Sequence, residues 1–118
     1  MNQRKEWKRA LSALGAGKRK PNPETLILRD VREYLRWHGW TVKRFQQGLG
    51  SERGIPDLCA FRAGVFVFIE VKTENGRLSD DQRRFRDECE AEAIPHLVIR
   101  SLDEAAMLDN CYPRREGK

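Results

Sequence analysis

Apolar positions follow two different spacings along this chain, and each marks a different kind of element. From Glu24 to about His38, the residues Ile27, Leu28, Val31, Tyr34 and Leu35 recur at intervals of three and four. That spacing predicts an amphipathic helix with one buried face. Asn22 suits its N-cap, Pro23 its first helical position and Gly39 its C-terminal stop. The pattern then shortens. Trp40 to Phe45 reads as a strand, and Gln46 to Pro56 as a loop carrying Gly48, Gly50 and Gly54. Asp57 to Phe61 and Val65 to Val71 read as two further strands joined by a tight turn at Ala63-Gly64. Val65, Val67, Ile69 and Val71 share one face of the last strand and Phe66 and Phe68 the other, which predicts a central strand covered on both sides. Ser79 and Gln82 form a capping box for a helix to about Glu92. His96 to Arg100 reads as a strand, and Ser101 with Glu104 opens a short final helix. The expected fold class is therefore α/β, in the order helix, three strands, helix, strand, helix.

A chain of 118 residues has room for one compact domain and a tail. Gly15, Gly17, Pro21 and Pro23 mark the boundary, giving an arm over 1–21, a domain over 22–112 and a short basic tail over 113–118. The net charge of +5 is concentrated in the arm. Residues 1–20 hold seven basic side chains, Lys18, Arg19 and Lys20 among them, against one acid, while the other 98 residues hold 16 and 17. Such an arm suits a polyanionic partner, or serves only to solubilise. Trp7, Leu11 and Leu14 at helical spacing would let it fold on contact. No apolar run is long enough for a membrane span and the start has no secretory character, so a soluble, cytoplasmic protein is expected. Cys59, Cys89 and Cys111 are odd in number and widely spaced, which argues against disulfides and a zinc site.

The chemistry-bearing residues emerge from the hairpin. With Ala63-Gly64 at the turn, Arg62 faces Val65 and Asp57 faces Glu70. Directly paired side chains have Cβ atoms about 4.5–5.5 Å apart, so two carboxylates there repel unless a cation lies between them. Oxygen ligands suit Mg²⁺ or Mn²⁺. Lys72 lies on the same face as Glu70, where an ammonium can orient a water or offset charge on a phosphate. These are parts for phosphodiester hydrolysis. The competing reading is that Asp57 and Glu70-Val71-Lys72 are ordinary solvated strand ends.

Asp57, twelve intervening residues and Glu70-Val71-Lys72 resemble the PD-(D/E)xK nuclease signature. More narrowly, Gly54-Ile55-Pro56-Asp57-Leu58, Phe68-Ile69-Glu70-Val71-Lys72 and Leu78-Ser79-x-x-Gln82 resemble the VRR-NUC family, the virus-type replication and repair nucleases, over Glu24 to Ala105. The resemblance implies a restriction-endonuclease-like αβββαβ core, a mixed central sheet flanked by helices. It implies Asp57, Glu70 and the main-chain carbonyl of Val71 as ligands of Mg²⁺ or Mn²⁺, with Lys72 positioning the water. Glu24 would complete the metal shell, although on its own it is also an ordinary first-turn acid. Gln82 would lie at the active site, a role one side chain cannot easily combine with capping a helix.

The resemblance further implies a homodimer acting on branched DNA, in the manner of a Holliday-junction resolvase, with roles in repair or recombination. Flaps, ends or RNA as substrates, and a non-catalytic adaptor, remain alternatives. No organic cofactor is implied, and the family's name leaves a viral source open. Arg44, Arg53, Arg77, Arg83 and Arg84 are candidates to grip phosphates beside the arm, although Arg83 also fits a solvated helix face. Trp37, Trp40 and Phe45 are candidates for exposed apolar contacts.

Overall fold

The computed structural model describes residues 22–113. Helix α1 (Pro23–Trp37) is followed by strands β1 (Thr41–Arg44), β2 (Leu58–Arg62) and β3 (Val65–Val71), then α2 (Asp80–Ala91), β4 (His96–Ile99) and α3 (Leu102–Cys111). The sheet runs β1-β2-β3-β4, antiparallel across the first three strands and parallel between β3 and β4. A parallel pair needs a crossover, and α2 supplies it. This is the expected mixed α/β core.

The hairpin register is the one the turn dictates: Arg62 pairs with Val65 and Leu58 with Ile69. Ala63 and Gly64 both take left-handed backbone angles, φ 51° and 85°. Such a turn matches the right-handed twist of the strands it joins. β2 begins one residue later than expected, at Leu58, because the Asp57 carboxylate takes the Val71 N–H in place of a main-chain partner (2.8 Å).

One face of the sheet carries the core. Leu28, Val31 and Leu35 of α1 and Ala105 and Leu108 of α3 pack on Val42, Ala60, Val67, Ile69, Val71 and Ile99. Each such buried Val, Leu or Ile contributes about 1.5–3 kcal/mol. The other face is covered only in part, which corrects the expectation for β3. Phe68 is closed in by Phe85 of α2 (5.0 Å between ring centroids) and Phe45 (6.0 Å). At the hairpin end Phe61 and Phe66 stack on each other and stay 41% and 39% exposed. The reason is the composition of α2, which offers only Phe85, Cys89 and Ala91 as apolar cover.

Trp40 is also corrected: it is buried, not an exposed contact. Its indole N–H donates to Asp109 (3.0 Å), and the Arg62 guanidinium lies over its ring at 4.4 Å. Arg62 in turn donates to Asp109, His38 O and Tyr112 O, which ties the ends of α1 and α3 to the hairpin. Trp37 is exposed as expected, and Phe45 is half-buried. Cys59 and Cys89 are buried, Cys111 is exposed, and all three are free. Among the described residues no helix is long and apolar enough to cross a membrane.

Candidate active site

The loop before β2 is held tightly, and it delivers Asp57 to the end of β3. The Gln47 side-chain amide donates to Ile55 O (3.3 Å) and Pro56 O (3.1 Å). Gly54 sits at φ 81°, and a Cβ there would lie 2.3 Å from the main-chain oxygen of Asp81. Only glycine lets the loop pass this close to the start of α2. Asp57 then meets Glu70 and Lys72 as the sheet period requires. Glu70 is 2% exposed. Its Oε1 accepts from Gln82 Nε2 (2.7 Å) and lies 3.9 Å from Lys72 Nζ. Its Oε2 is out of water and has no hydrogen-bond partner.

Burial governs the electrostatics. It pushes the Glu70 carboxyl up to about 8, the nearby Asp57 charge adds to the rise, and Lys72 opposes it. Asp57 is also raised by burial, against the Val71 N–H and the charges of Lys72 and Arg44. The two carboxyl groups are electrostatically coupled, the Asp57 charge disfavouring a second charge on Glu70. Solvated strand ends would not behave this way. Burial disfavours the charged form of both acids, and of Glu70 most strongly.

Glu24 stands in the first turn of α1, and its charge also lifts Glu70. It lines a cavity of about 420 Å³ together with Asp57, Arg44, Thr25 and Thr73. The two readings of Glu24 are thus compatible, since the helix start opens onto the carboxylates. Thr73 had no sequence signal: it is uncharged and lies off the period of Glu70 and Lys72. Gln82 corrects the expectation that one side chain cannot easily do both, because it makes both contacts. Its Oε1 accepts the Ser79 N–H (2.8 Å) and closes the capping box, while its Nε2 donates to Glu70. The two ends of one amide have opposite hydrogen-bonding character, so each takes one duty.

The remaining basic candidates divide. Arg44 joins the carboxylate cavity. Arg53 and Arg84 line a separate one of about 570 Å³ with Asp81 and Glu88, where Arg84 pairs with Asp81 (3.5 Å). Arg83 is held by Asp80 and by Leu78 O, and Arg77 is exposed. Lys18, Arg19 and Lys20 lie outside the described residues.

Among the described residues no three His, Cys, Asp or Glu side chains gather closely enough to hold a metal. Asp57 and Glu70 nonetheless fit a hard cation. Both are oxygen donors, one oxygen is buried without a partner, and Mg²⁺ usually takes only one or two carboxylates and keeps its waters.

The sequence model of the VRR-NUC domain matches residues 22–103, most of the chain and all of this site. The chain belongs to the VRR-NUC family. That family is nuclease-related, and nucleases of this fold generally use divalent metals. A solved structure described as a VRR_NUC domain superposes on this one with TM-score 0.68 and 24% identity, covering 79% of this chain and 100% of the other. Hjc of Archaeoglobus fulgidus, a Holliday junction resolvase from an archaeal hyperthermophile, superposes with TM-score 0.52 and 22% identity, over 65% of this chain and 67% of its own. Likeness at these identities shows the fold of this VRR-NUC domain, and that fold is the resolvase-like one. No curated protein matches.

Proposed function

We propose that this VRR-NUC protein is a divalent-metal-dependent DNA endonuclease that hydrolyses phosphodiester bonds in branched DNA, as a Holliday-junction resolvase does. The observation that carries the proposal is the carboxylate pair, half-buried Asp57 with buried Glu70, in which Glu70 keeps Oε2 without a partner while its Oε1 lies near Lys72. When bound, Mg²⁺ or Mn²⁺ would polarise the phosphoryl oxygen and lower the pKa of the attacking water. Asp57, Glu70 and the Val71 carbonyl would hold it, with Glu24 contributing across the cavity. Lys72, whose side chain is only 13% exposed, orients the water and offsets charge gathering on the phosphate. Gln82 holds the Glu70 carboxylate in place through Oε1 and leaves Oε2 free to take a ligand.

The catalytic unit in this reading is 22–112, between a basic arm (1–21) and a short tail (113–118). Lys18, Arg19 and Lys20 of the arm follow the duplex, and Arg44, beside Asp57, meets the phosphate nearest the cut. Arg53, Arg77, Arg83 and Arg84 meet DNA further along. Two copies act together, one site for each strand, and Trp37, Phe61 and Phe66 supply exposed apolar surface for contact.

The test is cleavage of a labelled four-way junction beside flap, duplex, single-stranded and RNA controls, in Mg²⁺ or Mn²⁺, by wild type, Asp57→Asn and Lys72→Ala. Paired cuts near the branch, lost in both variants, support the proposal. Faster cutting of a flap, an end or RNA reassigns the substrate. Tight binding without cleavage of anything favours the adaptor alternative.

A further inference from the structure

Between Lys72 and Gln82 the chain leaves the active site and returns to it. Residues 72–79 belong to no helix or strand, yet both ends of the excursion carry groups that touch Glu70. Something must fix the middle of this loop, because a connection held only at its ends lets both ends drift.

The structure assigns that part to Arg100: we infer that it is a positioning residue, gripping the turn at Thr73–Gly76 and thereby holding Lys72 and Gln82 against the carboxylates. This rests on the nuclease reading above. Arg100 follows directly on β4, whose last residue, Ile99, accepts the Lys72 N–H (3.1 Å). Its own N–H donates to Glu104 Oε1 (2.8 Å), which anchors its main chain to the start of α3. Its Nη1 donates to Thr73 O (2.7 Å) and Gly76 O (2.5 Å), with Glu74 O at 3.4 Å. The turn's one internal main-chain bond is Gly76 N–H to Thr73 O (3.1 Å), so the guanidinium clasps both ends of the turn that this bond closes. The fit is close, since a Cβ on Gly76 would stand 3.0 Å from Thr73 Oγ1.

Thr73 O and Gly76 O each take one of the two Nη1 hydrogens, and the pair forms a charge-assisted clasp, stronger than neutral hydrogen bonds. The guanidinium is turned toward the loop and not toward the cavity, so Arg100 acts through Lys72, Thr73 and Gln82 and touches no reacting atom. Small displacements of such groups slow chemistry more than they weaken binding, by up to about 100-fold.

The experiment compares wild type, Arg100→Ala and Arg100→Lys in the full chain. Hydrogen exchange is followed at the Gly76 amide, and kcat and KM are measured on the junction substrate with Mg²⁺. Arg100→Ala is expected to speed Gly76 exchange without changing the amides of β3, and to lower kcat on the order of 10- to 100-fold with KM nearly constant. Arg100→Lys offers three N–H donors to the same carbonyls and is expected to recover most of the rate. An unchanged kcat in a folded Arg100→Ala, or an equal loss in kcat and rise in KM, overturns the inference. So does a Lys variant that folds but behaves like Ala. If Arg100→Ala fails to fold, the Lys variant decides alone: it must keep Gly76 protection and most of the rate. If wild type cuts nothing, the nuclease reading falls and the positioning role with it, while exchange still reports whether Arg100 grips the turn.

Discussion

Replacing Glu70 with glutamine should stabilise the metal-free protein, by an amount that depends on pH. The Glu70 carboxyl is raised from 4.5 to about 8 by burial and by the Asp57 charge. In the folded state it therefore keeps a proton that the unfolded chain releases. Between those two values the native state binds more protons than the unfolded one, so stability falls as pH rises through the window. Each pH unit crossed costs about 1.4 kcal/mol, which gives roughly 3 kcal/mol by pH 7. Asp57, raised as well, acts in the same direction. Glu70→Gln keeps the shape and the oxygen that accepts from Gln82, and has no charge to bury. In EDTA the variant should exceed wild type by about 2–3 kcal/mol at pH 7, on the order of 10 °C in Tm, and by almost nothing at pH 4.5. Urea and thermal unfolding from pH 4.5 to 8.5 measure this directly. Added Mg²⁺ should narrow the gap by stabilising wild type alone. A difference that does not vary with pH, or a variant weaker than wild type at pH 7, would refute the reasoning.

Four shorter expectations follow from particular contacts. Gly54→Ala must move either the loop or the start of α2, because the new Cβ falls 2.3 Å from Asp81 O at φ 81°; a loss of about 2–4 kcal/mol in urea unfolding is expected. Ala63→Asn relieves a left-handed alanine in the hairpin turn (φ 51°) and should add about 0.5–1 kcal/mol, whereas a loss would count against the turn assignment. Gln82→Glu keeps the oxygen that caps α2 but sets a second carboxylate against Glu70, so cleavage should fall on the order of 100-fold while the helix persists by circular dichroism. Deleting residues 1–20 removes a net +6, and should weaken DNA binding and flatten the slope of log K against log salt; an unchanged slope means the arm does not touch phosphate.

What could be read from the sequence was whatever depends on local period and turn chemistry. Spacing placed α1, and the pair Ala63-Gly64 fixed the hairpin register, which brings Asp57 beside Glu70 and leaves Lys72 on the same face. What depended on distant partners could not be read. Trp40 looked like a surface aromatic because its partners, Asp109 and Arg62, lie 69 and 22 residues away, and the polar cluster that buries it has no sequence pattern. Phe66 looked covered because alternation records two apolar faces and says nothing about how far the covering helix reaches. Glu24 reaches the site only because α1 packs across the sheet, and Arg100 reads as a strand end until its guanidinium is seen to turn back on Thr73. In the sequence the two roles of Gln82 compete, because a motif assigns one role to a residue, whereas an amide has two ends.

Glu24, Asp57, Glu70 with Lys72, and Gln82 come from α1, the start of β2, the end of β3 and α2, and two of these residues also build the fold. Asp57 terminates the β2–β3 ladder by taking the Val71 N–H, and Gln82 closes the α2 cap. The two carboxylates are therefore not equivalent. Asp57 is only half-buried and accepts the Val71 N–H through Oδ2, so truncating it leaves a main-chain N–H in the sheet without its acceptor, at a cost of about 1–3 kcal/mol before any chemistry is considered. Glu70 is satisfied at one oxygen only, and the other is buried with nothing to accept from. Folded proteins rarely leave such an atom without a partner, and where they do the reason is often a ligand or a catalytic role. The electrostatic cost at this site is thus concentrated on Glu70, next to Lys72, where a cation or a proton relieves it. Under the proposed metal-dependent reading, such a site trades stability in the empty state for affinity in the loaded one.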